Sequence, residues 1–380
     1  MSIMVVSVPQ MEQAIAPGPL HRPRRLGTKR ALLLPLFQGI PMTAPLRDPV
    51  LINDWHPVAI AAELAPGQQT ATLLLDTHVL LWRSQDGRLH AWEDRCPHRG
   101  MKLSMGTLQS DGITCPYHGW IFGEDGQCKH IPAMPELTPE RMTGRVTTYA
   151  VQERYGLVWV CLGTPAQDVL PFPEFADARL RKVWCGPYEV AASGPRLVEN
   201  FLDMSHFAWV HTDILGEKSR PEIPDYEVQN FDDPVYGSGV RAVQCQAWQP
   251  RANKLSDSGS LVAYTYRVVR PLTAILTKEP EAMAGFHEAI SLHLQPMTET
   301  RTRAWIILAM TNFESSDAEL RQFQDTIFLQ DQPIVENQSP LRLPLVPGME
   351  MSIPVDRMSL AYRRYLKQLG LRYGVVSEAE

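Results

Sequence analysis

Cys96-Pro97-His98-Arg99-Gly100 and Cys115-Pro116-Tyr117-His118-Gly119-Trp120, with sixteen residues between His98 and Cys115, decide how this 380-residue chain is read. Each short segment offers one thiol and one imidazole. Two such segments on opposed hairpin tips can reach one inorganic centre. Structural zinc on two cysteines and two histidines usually takes both thiols from one loop and both imidazoles from a helix. A thiol and an imidazole from each loop instead suit a [2Fe–2S] centre, with one iron on the two thiolates and the other on the two imidazoles.

The pattern Cys-x-His-x16-Cys-x2-His, flanked by Arg99-Gly100 and Gly119-Trp120, resembles the Rieske motif of the Rieske non-haem iron oxygenases. Respiratory Rieske proteins add a cysteine to each loop, and those two form a disulfide. Met101 and Tyr117 stand at those places here, so no such bridge can form, which favours the oxygenase or ferredoxin type. The resemblance implies that Cys96, His98, Cys115 and His118 hold a [2Fe–2S] cluster. A cluster of this kind carries electrons, so bond chemistry must sit elsewhere in the chain.

A hydrophobic fraction of 44% with 21% charged residues is ordinary for a soluble globular protein. The length exceeds what one core usually serves, and two domains are expected. Net charge of −6 leaves no electrostatic footprint for nucleic acid. Cys128, Cys161, Cys185 and Cys245 are scattered and read as reduced thiols of a cytoplasmic protein. No apolar run is long enough to cross a bilayer. Near the start, His21-Arg22-Pro23-Arg24-Arg25 and Lys29-Arg30 precede Ala31-Leu32-Leu33-Leu34-Pro35-Leu36-Phe37, the outline of a secretion signal. That apolar part is short, is interrupted by Pro35 and lacks a small-x-small cleavage site. Residues 1–45 are therefore expected to be an unstructured extension, with Met42 a rival start.

Short β-rich runs follow at residues 55–60, 72–75, 79–83 and 89–92, with turn signals at Asp86-Gly87 and Asp125-Gly126. A closing hairpin is expected over 147–162. These predict a small antiparallel β domain over residues 46–163, with the cluster loops at one end. Proline-rich residues 163–173 lead into a second domain, 164–380. It should hold strands near 183–190, 240–248, 261–269, 289–294 and 303–310, a helix over 197–210 and a basic helix over 359–367. Another helix should be opened by the capping box Ser316-x-x-Glu319. The class is α+β, and the resemblance implies a helix-grip-like catalytic domain with an extended antiparallel sheet.

The second informative stretch is Asn200-Phe201-Leu202-Asp203-Met204-Ser205-His206-Phe207-Ala208-Trp209-Val210-His211. Steps of three put Asn200, Asp203 and His206 on one helix face, about 60° apart. The step of five from His206 to His211 would splay the two rings by about 140° on an undistorted helix. They can meet one ion only if the helix ends or bends near residues 209–212. Two imidazoles and one carboxylate on one face of an ion form the ligand set of oxygen-activating Fe(II). The stretch resembles the family's mononuclear iron motif, with His206 and His211 at its histidine positions. Gln330-Asp331-Gln332-Pro333-Ile334-Val335-Glu336 resembles its final motif and brings Asp331 as the third ligand. Asp325 and Glu336 are rival carboxylates, and Pro333 should kink that helix.

The resemblance gives two more residues a part. Asp203 matches the acid that links an iron-bound histidine to a cluster histidine of the neighbouring subunit, which implies a homotrimer. Asn200 is either a distant neighbour of the iron or an ordinary helix-end polar residue. Leu343-Pro344-Leu345 and Ala361-Tyr362-Arg363-Arg364-Tyr365-Leu366 look like the group built from α-subunits alone: vanillate O-demethylases, phthalate dioxygenase, N-demethylating alkaloid enzymes and saxitoxin-pathway oxygenases. The implied activity is monooxygenation, either hydroxylation or O-/N-demethylation of an aromatic or heterocyclic small molecule with O2. No nucleotide motif occurs, so an NAD(P)H-dependent flavin/iron–sulfur reductase is the expected partner. The alternatives are ring cis-dihydroxylation and an electron carrier with an inactive second domain. Substrate-cavity residues are expected from strands within 240–294 and from loops near 214–227 and 332–345. Arg267, Arg270 and Arg303 either bind a substrate carboxylate or are surface strand arginines.

Overall fold

The computed structural model describes residues 48–377 except 111 and 257, so the extension expected over residues 1–45 lies outside the described residues. Asp48 is the first described residue. Its buried carboxylate caps the one-turn helix α1 (Pro49–Ile52) through Val50 N at 2.9 Å and accepts from Arg372 N and Tyr373 N at 2.6 and 2.9 Å. One acid thus ties the first described turn to the last segment.

The first part of the fold is all antiparallel. Strands β1 (His56–Ile60), β2 (Gln69–Leu74), β3 (Thr77–Arg83) and β4 (Leu89–Glu93) lead to a second, smaller sheet. That sheet is β5 (Thr107–Gln109), β6 (Gly112–Thr114), β7 (Ile121–Gly123) and β8 (Cys128–His130), and the chain returns through β9 (Thr148–Arg154) and β10 (Leu157–Cys161). The six-stranded order is β1-β10-β9-β4-β3-β2, and the four-stranded one is β5-β6-β7-β8. Between β9 and β10 the two-residue turn puts both Tyr155 and Gly156 at positive φ, 56° and 75°, the primed geometry that matches strand twist. Its Tyr155 hydroxyl donates to Leu170 O and accepts from Phe172 N, pinning the proline-rich connection that leads to helix α2 (Pro173–Ala176).

The second part is a seven-stranded antiparallel sheet in the order β11-β17-β16-β15-β14-β13-β12. Its strands are β11 (Arg181–Val190), β12 (Glu227–Asp233), β13 (Gly237–Gln249), β14 (Ser260–Arg270), β15 (Thr273–Pro280), β16 (Glu288–Thr298) and β17 (Arg301–Met310). Strands β12 and β15 were absent from the expected set. The first is a polar edge, and the second's short apolar core runs into Lys278, Glu279 and Pro280, which hides its period. Helices α3 (Gly194–Leu202), α4 (Phe207–Val210), α5 (Asp317–Glu336) and α6 (Arg357–Leu369) go with this sheet. The pair β18 (Leu343–Pro344) and β19 (Val375–Val376) runs parallel beside it. The expected α+β architecture is what forms.

Ten of the eleven residues of β16 are buried, because both of its faces are covered. Ile290, Leu292 and Leu294 join the core that also takes in Leu197, Phe328 and Tyr362 from the helices. His293 meets Trp159 of β10 edge-on at 5.1 Å. Farther along, Gln295 Nε2 donates to Thr72 Oγ1 and Leu73 O, while Leu75 N and Asp76 N donate to Pro296 O and Met297 O. The β2–β3 turn is therefore stitched backbone to backbone onto the larger sheet.

Candidate metal centres

The two cluster segments fold into the same turn twice. Cys96 N donates to Met101 O and Gly100 N to Cys96 O; Cys115 N donates to Trp120 O and Gly119 N to Cys115 O. Both turns close on a left-handed glycine, Gly100 at φ 71° and Gly119 at φ 69°, a conformation other residues adopt at a cost. The thiols of Cys96 and Cys115 are buried and free. The His98 and His118 rings lie 4.5 Å apart, and His98 stacks on Trp120 at 4.4 Å. Burial, with the adjacent Cys115 thiol adding to it, pushes the Cys96 thiol up to about 11. His98 Nδ1 is buried and has no hydrogen-bond partner. Two neighbouring thiols and an orphaned imidazole nitrogen are donors that suit the cluster.

The second centre begins at a break in the chain. A continuous helix over 197–210 was expected. Instead α3 stops at Leu202 and Asp203 turns extended, with ψ 137°. Its Oδ1 accepts from Ser205 N and Oγ, and its Oδ2 from His206 N, local bonds that compete with helix and open a new turn. After α4, His211 caps the helix end. Gly216 then packs so closely that a Cβ there would stand 2.5 Å from Ala208 N, and this holds the 212–216 loop against α4. The break before α4 and the stop after it turn the two rings toward each other.

Asp331 comes from α5, which both hydrogen bonds of the Ser316–Glu319 capping box start and which continues past Pro333 to Glu336. His206 Nε2 and His211 Nε2 are 3.2 Å apart, and Asp331 Oδ1 is 3.4 Å from the first and 3.1 Å from the second. Atoms bound about 2.1 Å from one ion, at right-angle to tetrahedral spread, stand about 3.0–3.4 Å apart. His206 Nδ1 pairs with Asp203 Oδ2 at 2.9 Å and His211 Nδ1 with Gln330 Oε1 at 2.8 Å. With those protons donated outward, two imidazole lone pairs and a carboxylate oxygen converge with only acceptors among them. Such a set is stable around a cation. Burial would lower His206, but the Asp203 hydrogen bond and the Asp331 charge outweigh it and hold the ring above its usual range. The same field attracts a metal ion.

Asn200, in the last turn of α3, donates from Nδ2 to Asp331 Oδ1 at 3.4 Å. The rival acids are engaged elsewhere: Asp325 accepts from the Tyr188 hydroxyl, and Glu336 accepts from Ala191 N and Gln332 Nε2. Gln330 was not anticipated as a partner of His211. Its position next to Asp331 was the available signal.

A Rieske [2Fe–2S] domain family matches residues 54–150, and the vanillate O-demethylase oxygenase C-terminal domain family matches residues 190–372. The "Probable methylxanthine N7-demethylase NdmC" of Pseudomonas sp. (strain TJI-51) is 32% identical over 324 residues, 85% of this chain and 96% of that protein. The chain belongs to the Rieske oxygenases. Its fold matches the structure of Pseudomonas putida CBB5 NdmA with a TM-score of 0.69 at 29% identity, covering 84% of this chain and 90% of that one. A third relative, the Pseudomonas putida oxidoreductase NdmD, is 35% identical over 130 residues, 34% of this chain and 22% of that protein.

In this Rieske oxygenase a cavity open to solvent at one end lies against His206, His211 and Asp331. Its walls come from alternate residues of β14, β15 and β16, such as Tyr264, Leu276 and Ile290, and from Leu215. The far wall corrects one expectation. It is the face of α5 carrying Phe323, Ile327, Phe328 and Asp331, rather than a loop over 332–345; only Gln332 and Val335 of that range contribute. Arg267, Arg270 and Arg303 stand outside it and pair with Glu174, Asp54 and Glu189. Among the described residues, no helix is long and apolar enough to cross a membrane.

Proposed function

We propose that this chain is the oxygenase component of a system that removes a methyl group from nitrogen or oxygen of an aromatic or heterocyclic ring. The observation that carries this reading is the convergence of His206, His211 and Asp331 at the wall of an apolar cavity. These three would hold one Fe(II), and Cys96, Cys115, His98 and His118 would hold the [2Fe–2S] cluster. Bound there, the iron supplies oxygen activation and the cluster supplies electrons. The methylxanthine demethylases among its relatives support a methylated ring as substrate.

The chain's own residues prepare that chemistry. Asp203 and Gln330 accept the Nδ1 protons of the two histidines, so each ring keeps its tautomer and orientation and turns Nε2 inward. Asn200 donates to Asp331 and limits the swing of the carboxylate. Aliphatic and aromatic walls keep water from the reacting carbon. A ring-bound methyl, O2, two electrons and two protons give the hydroxymethyl compound and water. That compound loses formaldehyde and leaves the N–H or O–H ring.

The electrons require an NAD(P)H-dependent reductase, and the similarity to the oxidoreductase NdmD supports a partner of that kind. Domains over 46–163 and 164–380 divide the labour between cluster and iron. The Asp203 carboxylate is partly exposed and His118 is exposed, which suits a contact between copies in a homotrimer. The four cysteines outside the cluster, Cys128, Cys161, Cys185 and Cys245, are free thiols, which suits the cytoplasm. The test is a panel of N- and O-methylated rings with the iron-loaded protein, a reductase and NADH. One formaldehyde per NADH oxidised is expected for some member; a panel yielding none, with cluster and iron both present, overturns the reading.

A further inference from the structure

The cavity beside His206 and Asp331 has one lysine or arginine among its described lining residues, Lys278. On the sheet, Lys278 of β15 lies directly across from Glu288 of β16. The two side chains are almost fully buried, and Lys278 Nζ is 2.8 Å from Glu288 Oε2, a charge contact off the angle of a hydrogen bond. The ammonium also donates to Ala252 O at 3.0 Å. Its charge is therefore consumed within the wall. Next to it the cavity presents Leu276, Ile290, Ile306 and Phe328, so that among the described lining residues no lysine or arginine charge is left over. The positive charge at the opposite end is that of the iron His206, His211 and Asp331 would hold, offset in part by Asp331.

With the methyl group turned toward the iron, a carboxylate or sulfonate on the far side of the ring gives up its hydration and finds no side-chain counter-ion, which strongly disfavours it. We propose that the cavity selects uncharged ring substrates, and that Glu288 enforces the selection by neutralising Lys278. A ring ester, amide or lactam fits where the corresponding acid does not. The inference rests on the reading of this cavity as the substrate site of a demethylating oxygenase.

Isosteric pairs separate the charge from the shape: vanillamide against vanillate, toluene-4-sulfonamide against toluene-4-sulfonate, and 4-methoxybenzamide against 4-methoxybenzoate. Titration calorimetry on the iron- and cluster-loaded protein should give the neutral member about 100-fold tighter binding in any pair that binds. In Glu288→Gln the freed ammonium should bring the anion at least about tenfold closer to its neutral partner. A Lys278→Met/Glu288→Leu double variant removes both charges and should keep the original gap, and it serves even if Glu288→Gln does not fold. Anions bound within threefold of their neutral partners by the natural protein overturn the proposal. So does a narrowed gap in the double variant, an unchanged gap in a folded Glu288→Gln, or a panel in which no neutral ring binds. Charge-selective binding without formaldehyde from any methylated ring would remove the demethylation reading and leave the selection standing. Formaldehyde from both members of a pair alike would do the reverse.

Discussion

Gln330 Oε1 accepts the Nδ1 proton of His211 at 2.8 Å, and His211 is 1% exposed, so that amide oxygen is the ring's sole outward acceptor among the described residues. In Gln330→Leu the buried N–H loses its partner, a loss worth about 1–3 kcal/mol. Iron(II) affinity should fall by about 10–100-fold, as it does when such outer partners of metal-bound histidines are removed. Gln330→Glu keeps an acceptor and should restore most of it. Equilibrium dialysis with Fe(II) reads both variants; equal affinity in Gln330→Leu and the natural protein would remove Gln330 from the site.

Among the described residues, Asp331 brings the one carboxylate oxygen within 3.4 Å of both inward imidazole nitrogens. Asp331→Ala should release the mononuclear iron and abolish turnover. The cluster's visible absorption should persist, because its four donors sit in the 96–120 hairpins. Metal analysis beside the visible spectrum decides the matter. Full iron content in the variant would mean a different third donor.

Gly216 lies where an added Cβ would stand 2.5 Å from Ala208 N and 2.7 Å from Ala208 Cα. Backbone cannot yield as a flexible side chain can, so Gly216→Ala must push α4 and the 212–216 loop apart. A loss of roughly 1–3 kcal/mol is expected from overpacking, together with weaker iron binding through a displaced His211. Thermal unfolding and iron content should both fall. A variant with unchanged values of each would show that the loop has room to relax.

His293 is fully buried, near Ser291 Oγ at 2.6 Å, and burial depresses its ring to about 3. Its unfolded value is about 6.5, so between those limits the unfolded chain binds a proton that the folded chain does not. Stability contributed by the neutral ring is thus complete above about pH 6.5 and is lost as the pH falls toward 3, at about 1.4 kcal/mol per unit. Urea unfolding of His293→Gln against the natural protein should show the difference between them shifting by about 2 kcal/mol in favour of the variant from pH 7 to pH 5. Parallel curves would mean that His293 does not titrate in that window.

Several features were legible in the residues because they are local. Each cluster turn needs only a Cys, a His and a Gly within a few positions, and the capping box at Ser316 and Glu319 spans one turn. Other features were not. The break at Asp203 depends on a choice between helix and side-chain bonding that tertiary packing settles, and the periodicity of residues 197–210 does not reveal it. Strands β12 and β15 carry too little alternation to stand out. Three arginines that could have served a substrate carboxylate are paired with acids from distant segments.

Sequence alone determined the donor inventory: two thiols and two imidazoles in paired turns, two more imidazoles five residues apart, and an acid in a late helix. Only the tertiary structure decided that Asp331 meets His206 and His211 across more than a hundred residues, and that Lys278 is cancelled by Glu288. The reason is physical. Turn geometry follows from the conformational preferences of neighbouring residues, whereas convergence across the chain follows from strand register and from the burial of the sheet and helix faces that share one core.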